Sequence, residues 1–493
     1  MLKKTKTIIC ICLLLVTSGV LGPTKAMALG TSRGYLTSAA ELQHLKSIYD
    51  AGDASLRSRV SNMLSFGQNS PTYWPYGTIY PVLNAPSSGV CPSSTSKDSG
   101  NNDYLDYNGG ARLTYEKVLA YYFTGDQAYA DFARDRIMEL ATSTSYGGSN
   151  YSGSNQCILG LAFSLSEWIT AADLLSSSPS WTATNKQTFQ TWLATVAYNK
   201  VAWASRTRAN NWGAFGSTAS VMLADYVAGF VPTLTEVSPT PQILTSAQAY
   251  QSHIQQAKDR ALGVFKGDSQ CTIWGIQSYG GIPDELRRGA AGCTATSIQT
   301  ADSALTYQQH HVDADVLLAE FLWHRGDTSM YNLTSSTGMG SIKKAIYFII
   351  NNPQNASGID WDGYRKDHLY VSARYYKDPI ILNKAKQYSS QGTLMSWTHI
   401  THYDQNTVPP VVAPPGVIAT AAPTPTGAPV DSCNKADINR DGVVNSTDDG
   451  MLVSDLLKAS PTYSRSDINL DGKVDLLDYS ILAKNFSLTG VCL

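Results

Sequence analysis

The tightest constraint in this chain is a repeat near its end. Residues 437–448 read DINRDGVVNSTD and residues 467–478 read DINLDGKVDLLD, two copies of one acidic loop set 30 residues apart. Side-chain oxygens at positions 1, 3, 5 and 12 converge when a glycine at position 6, here Gly442 and Gly472, permits a sharp turn. Calcium takes such hard oxygens, about six to eight of them, in a flexible shell. The first loop is expected to hold an ion through Asp437, Asn439, Asp441, the Val443 carbonyl and Asp448. The second is expected to use Asp467, Asn469, Asp471, the Lys473 carbonyl and Asp478. Position 12 is Asp rather than the Glu of an EF-hand. Both ions are expected to be structural.

The pattern D-x-N-x-D-G-x-x-[ND]-x-x-D, complete in both copies, resembles that of dockerin domains over 431–493. The resemblance implies a small all-α module with two EF-hand-like calcium loops and, as partner, a cohesin domain of a scaffold protein. Each loop leads into an apolar segment, Met451, Leu452, Leu456 and Leu457 after the first and Tyr479, Ile481, Leu482 and Phe486 after the second. Partner choice in that family rests largely on positions 10 and 11. These are Ser446-Thr447 in one copy and Leu476-Leu477 in the other, which predicts one preferred docking face. The alternative is calcium used for stability alone, with no partner.

The other end reads as an export signal. Lys3, Lys4 and Lys6 precede an apolar run from Ile8 to Leu21, and Ala26-Met27-Ala28 is a small-x-small cleavage site, which predicts a signal peptide over 1–28. The run is short for a membrane span, and no other segment reads as one. The mature chain is expected to be secreted, extracellular and held on a scaffold or cell surface. Six cysteines remain beyond residue 28, an even count that suits disulfides in an exported chain. Pairing within regions gives Cys91–Cys157, Cys271–Cys293 and Cys433–Cys492. Net charge is −2, so no global basic field exists for nucleic acid. Residues 406–430, NTVPPVVAPPGVIATAAPTPTGAPV, are proline-rich and carry no charged side chain, and read as an extended linker between a large domain, 29–405, and the tail module.

The large domain carries helical periodicity at 39–65, 110–123, 126–142, 157–176, 184–200, 213–228, 245–264 and 303–325, with little strand-like alternation. Repeated helix pairs suggest an all-α, α/α-toroid arrangement round a central cleft. A plain helical bundle has the same periodicity.

Three passages carry the chemistry: Asn210-Asn211-Trp212-Gly213, then Gly280-Gly281-Ile282-Pro283-Asp284-Glu285-Leu286-Arg287-Arg288, then Tyr307-Gln308-Gln309-His310-His311 running on to Leu318-Ala319-Glu320. Their order resembles that of the alginate-lyase-like polysaccharide lyases of α/α-toroid fold, over most of 35–375. That resemblance implies a lyase acting by β-elimination on an anionic uronic-acid polysaccharide of the alginate or glucuronan type, with no catalytic metal. Asn211 and Arg288 would neutralise the uronate carboxylate, and Tyr307 would donate to the leaving oxygen or act as base as well. The family histidine after the paired asparagines is Trp212 here, so His310, three residues after Tyr307 on one helix face, is the histidine candidate. Asn210, Trp212, Arg287 and His311 are candidates for substrate contacts. Gly289–Thr300, longer than the family pattern, carries Cys293 and is expected to reshape the subsites.

Elimination needs such groups. The proton at C5 is weakly acidic beside a carboxylate, so that negative charge must be offset, a base must take the proton, and an acid must serve the departing oxygen. Two other classes stay open on sequence. A glycoside hydrolase on the same scaffold would need two carboxylates about 5–9.5 Å apart, for which Glu285, Glu320, Asp284 and Asp103 are available. A non-catalytic glycan-binding protein would need none of these roles.

Overall fold

The computed structural model describes residues 32–66, 103–142, 151, 156–289, 291–297, 302–352, 367–387 and 397–414 of the large domain, and residues 436–440, 444–455, 458, 465–468, 473–474, 478 and 481–482 of the tail. The segment 1–28 expected as a signal peptide, residues 415–430, Cys91, Cys433, Cys492, Asp441, Val443, Asn469 and Asp471 lie outside them. The chain divides into two units, 1–417 and 418–493.

The first unit is built from helix hairpins. In chain order these are α1 (Ala39–Asp50), α2 (Ala54–Phe66), α3 (Asp103–Thr124), α4 (Gln127–Ala141), α5 (Gln156–Leu174), α6 (Ala183–Trp192), α7 (Tyr198–Thr207), α8 (Asn211–Val227), α9 (Ser246–Leu262), α10 (Pro283–Arg288), α11 (Asp302–Trp323), α12 (Ile342–Asn351), α13 (Asp367–Tyr376), α14 (Pro379–Ala385) and α15 (Thr398–Thr401). The helices α3, α5, α8, α11 and α13 pack one against the next, and partners such as α4, α7, α9, α12 and α14 lie against them, as in an α/α toroid. The stretch expected as one helix over 39–65 is two. Gly52, at φ 99°, turns the chain, and the Asp53 side chain accepts the Leu56 N–H at 2.7 Å to start α2. The expected helix 184–200 runs further, as α6 and α7 joined by a wider turn at Leu193–Ala197. A two-stranded antiparallel sheet, β1 (Thr233–Glu236) with β2 (Gln242–Thr245), is a small departure from the all-helical expectation.

The inner helices are buried on most sides because both faces meet protein, and the polar groups they carry, such as Glu116, Asp225 and Glu320, are buried with them. Every residue of α8 is buried. The segment Cys157–Ser177, chiefly α5, corrects the expectation that nothing past the N-terminus could span a bilayer. It is long and apolar enough, with hydropathy 1.4, yet it is wholly buried within the protein. Close packing of α7 on α8 depends on two glycines. A Cβ on Gly213 would stand 2.0 Å from the Arg208 carbonyl oxygen, and one on Gly216 would stand 2.6 Å from the Ser205 nitrogen. Both obstacles are backbone, so Gly213→Ala is expected to destabilise by about 1–3 kcal/mol through forced helix displacement, read as a lowered thermal midpoint. Gly125→Ala, at a position with open space but φ 75°, is the strain-only control.

Buried ion pairs fasten the ends of these helices. Arg325 makes two hydrogen bonds to Asp225, at 3.0 and 2.7 Å, and donates to the Arg33 and Gly34 carbonyls. Arg374 bridges Glu41, at 2.7 Å, and Glu320; Glu320 also accepts from the Tyr331 hydroxyl at 2.9 Å, and Glu41 from His324 at 2.8 Å. The start of the proline-rich stretch runs back along this unit. The Val412 N–H donates to the His324 carbonyl at 2.9 Å, and Arg33 donates to the Ala413 carbonyl at 3.1 Å.

In the second unit the repeat is visible as structure. Ile438 and Ile468, Val444 and Val474, and Leu452 and Leu482 form one small core, each pair 30 residues apart. The Ile438 N–H donates to Asp448 Oδ1 at 2.7 Å, and the Ile468 N–H donates to Asp478 Oδ1 at the same distance. Each loop is thus closed by its own twelfth residue, and α16 (Ser446–Asp455) follows the first.

Candidate active site

The sequence NNW places a cap and a functional group side by side. Asn210 is the N-cap of α8, its side-chain oxygen accepting the Trp212 N–H at 3.1 Å. Asn211 is therefore the first helical residue, and its side chain is left for other work. Arg288 Nη1 donates to Asn211 Oδ1 at 2.7 Å, and Asn211 Nδ2 faces His310 Nδ1 at 3.3 Å. Arginine only donates, so it fixes which end of the amide faces which neighbour. The amide nitrogen then meets His310, whose Nδ1 accepts, and in this arrangement the imidazole proton sits on Nε2.

Arg288 closes the short helix α10, opened by Pro283 in its first turn. Its guanidinium lies 4.3 Å from the Tyr307 ring centroid, a cation–π contact. Tyr307 is partly exposed, and its ring stands edge-on to His310 at 6.4 Å. Phe163 of α5 backs His310 from another side at 5.8 Å. Three passages separated by up to about a hundred residues of chain thus converge: Asn211, Arg288, Tyr307 and His310 form one cluster.

Glu285 holds the cluster from beneath. Fully buried, it accepts the Asn211 N–H, takes Arg288 Nη1 at 3.3 Å and pairs with His311 Nδ1 at 2.9 Å. A carboxylate at the first N–H of α8 also suits the positive end of that helix. His311, 2% exposed and turned to Glu285, is a support behind the cluster rather than a group facing substrate. Trp212 is 3% exposed, with the Arg208 guanidinium 5.0 Å from its ring; it packs and presents no free edge. Arg287 pairs with Asp284 at 3.5 Å, outside the cluster. Arg208, which pairs with Asp268 at 2.6 Å, is a cation near the mouth of α8 that motif reading did not single out. Burial pushes the Arg208 pKa down, with Asp268 opposing and Arg288 adding to the shift. Burial pushes Asp284 up, with the Glu285 charge adding to it.

The second and third passages are tied directly. Buried Gln308, next to Tyr307, donates to the Gly280 carbonyl at 2.7 Å and accepts the Ile282 N–H at 2.9 Å. The loop before α10 is held from behind by Cys271–Cys293, the expected disulfide, with a Cα–Cα distance of 5.6 Å. Cys157 is also disulfide-bonded; Cys91, its expected partner, is outside the described residues. One further pair went unread in the sequence. His368, at the start of α13, meets Asp313 of α11 at 2.6 Å, both fully buried, with Asp313 one helical turn beyond His310.

Three of the four carboxylates named for a hydrolase are engaged by neighbours, and the side chain of the fourth, Asp103, lies outside the described residues. Glu320 is locked to Arg374 and Tyr331, Glu285 to the groups above, and Asp284 accepts from Ser269 at 3.2 Å. His402 lies against Glu320 at 3.6 Å, and His399 packs on Trp397, so both belong to the interior.

Two solved structures share this architecture. An alginate lyase from Bacteroides ovatus is 16% identical, with a TM-score of 0.51, covering 75% of this chain and 99% of that one. Alginate lyase A1-III from Sphingomonas species A1 is 13% identical, with a TM-score of 0.50, covering 78% and 99%. The fold is that of the α/α-toroid alginate lyases. At the other end, residues 435–487 match the dockerin type I domain, so the chain joins an alginate-lyase-like fold to a dockerin. No curated protein matches the chain.

Proposed function

We propose that the chain is a secreted polysaccharide lyase that cleaves a uronic-acid polymer by β-elimination and is held on a scaffold through its tail. The observation that carries this reading is the convergence of Asn211, Arg288, Tyr307 and His310 at the start of α8. The uronate carboxylate is met by the Asn211 amide and the Arg288 guanidinium, whose donors offset charge as it builds at C5. His310, with its proton on Nε2, offers a donor rather than a lone pair, so the base is the Tyr307 phenol oxygen. The C5–H proton passes to that oxygen, the C4=C5 double bond forms as the C4–O4 bond breaks, and O4 takes a proton from Tyr307 or His310. The occupied carboxylates Glu285 and Glu320 weigh against a hydrolase.

The domain plan is a signal peptide over 1–28, a catalytic domain over 29–405, a proline-rich linker over 406–430 and a dockerin over 431–493. The tail's donors fit calcium. Asp448 and Asp478 are fully buried and Asp437 is 2% exposed, in a module with no histidine or cysteine among its described residues. Asp437, Asn439, Asp448, Asp467, Lys473 and Asp478 are the described members of the two sets that would hold the ions. Calcium, when bound, supplies the positive charge that lets these acidic loops close. The partner is a cohesin domain of a scaffold protein.

Incubation with a panel of uronic-acid polymers, followed by ultraviolet absorbance, is the test. Appearance of the unsaturated uronate supports the reading; new reducing ends without it, or no product at all, refutes it. A chelator is expected to abolish binding to a cohesin-bearing scaffold and to leave elimination at its original rate. A chelator-sensitive elimination rate would contradict the metal-free assignment.

A further inference from the structure

A groove of about 610 Å³ opens on the large domain between α2, α13, α14 and the turn after α15. None of its lining residues belongs to the Arg288 cluster. Its central feature is Arg59. The guanidinium carbon lies 5.7 Å from the Tyr370 ring centroid and 5.0 Å from that of Tyr403, and Nη1 donates to the His399 carbonyl at 2.6 Å. Two rings and one carbonyl hold the group in place, yet among the described residues no carboxylate pairs with it. Lys386 lines the same groove, exposed, and no hydrogen bond or ion pair among the described residues uses its ammonium.

The two acids of the groove are already committed. Asp53 caps α2 through the Leu56 N–H at 2.7 Å and accepts the Tyr403 hydroxyl at 2.8 Å. Asp404 accepts from His44 at 2.8 Å, from the Asn406 N–H at 3.0 Å and from Thr407 at 3.1 Å. The groove's anions are therefore committed to other donors, while Lys386 and the remaining donors of Arg59, which also feels the Asp53 charge, make no ion pair among the described residues. A planar fork fixed between aromatic rings suits a carboxylate, because the donors are aimed before the ligand arrives and little side-chain freedom is lost on binding. Tyrosine rings beside it suit the apolar face of a sugar.

We propose that this groove is a second binding site for acidic polysaccharide, taking one uronate residue with its carboxylate on Arg59 and Lys386. The ligand class rests on the β-elimination reading, and the site adds a hold on the polymer away from the point of cleavage. The groove shares no lining residue with the Arg288 cluster, so on this proposal it is chain length beyond the cleaved residues that engages it.

The experiment uses the full chain, with Lys386→Ala and Arg59→Lys as variants. Lys386 is exposed and unpaired, so its removal leaves the fold intact even if Arg59 proves structural. With the polymer that yields unsaturated product, KM is expected to rise roughly two- to fivefold, the scale of losing an exposed charge contact. The same variants should process a uronate trisaccharide as the parent does. An unchanged polymer KM overturns the proposal, and so does an equal loss on polymer and trisaccharide. Should no polymer give unsaturated product, the elimination reading falls, and the groove is judged by migration in native gels containing alginate or glucuronan. There, weaker retardation of Lys386→Ala supports the site, and equal retardation overturns it.

Discussion

Tyr307→Phe is expected to lower the elimination rate by about 10²–10⁴-fold, the usual worth of a positioned proton-transfer group. The substitution is sharp because phenylalanine keeps the ring. Arg288 stacks on that ring at 4.3 Å, so the guanidinium keeps its seat and its bond to Asn211. Only the hydroxyl is lost, and KM should barely move. Arg288→Ala should differ in kind. It removes a donor aimed at developing charge, worth about 10²–10³-fold in kcat, and it also frees the Asn211 amide to rotate, so KM should rise as well. If Tyr307→Phe retains full activity, the phenol is a packing group and the assignment of the base to Tyr307 falls.

The second large effect concerns stability. Arg374→Met leaves Glu41 and Glu320 facing each other in the interior with no guanidinium between them. Removing one partner of a buried charge set costs about 3–5 kcal/mol, which corresponds to a fall of about 4–6 °C in thermal midpoint for a domain of this size. Adding Glu41→Gln and Glu320→Gln to Arg374→Met should recover part of the loss, because the uncompensated charges go with them. A recovery of nothing would point to lost packing against Trp323 instead.

The same network predicts acid lability. Burial alone would raise Glu320, but Arg374 and His402 outweigh it and hold it down at about 2; Glu41 is likewise held well below the usual range by His324 and Arg374. Their contribution is complete above the ordinary carboxylate pKa and is lost as pH falls towards 2. Burial pushes His253 down to about 4 and His399 to about 3. Both are neutral in the folded chain while the unfolded chain takes up protons from about pH 6.5 downward. These four groups act in one direction, while Glu116, which burial pushes up to about 7, acts in the other as pH falls from 7 towards the ordinary carboxylate range, so the denaturation midpoint should fall most steeply below about pH 4.5.

The helices and the three motifs were legible because each is written locally, in periodicity or in a short string. Asn210 and Asn211 illustrate the limit. Either could cap a helix, and only the position of Arg288 shows that one caps and the other works. Glu285 reads as an ion-pair partner for Arg288 and is that, but its hold on the Asn211 N–H and on His311 depends on where α8 and α11 cross. His368 and Asp313 lie 55 residues apart with no spacing to announce them. Buried polar pairing is a tertiary property, and local pattern does not encode it. The break at Gly52 was missed because periodicity continues in phase across the turn. The tail shows the opposite case: a repeat so regular that Ile438 and Ile468 find the same partner atom at the same distance.

Arg33 and Ala413 stand in contact, so the described part of the first unit, from residue 32 to residue 414 early in the linker, begins and ends at one spot on its surface. Its backbone is in effect a ring with a single cut. The order in which helix hairpins are threaded therefore matters less than their neighbours, and the position of the cut is a free variable. Joining residue 414 to residue 32 through a short loop and reopening the chain between two other hairpins would leave every helix contact in place. Such a rewired molecule would carry its tether from a different point on the rim while presenting the same cleft.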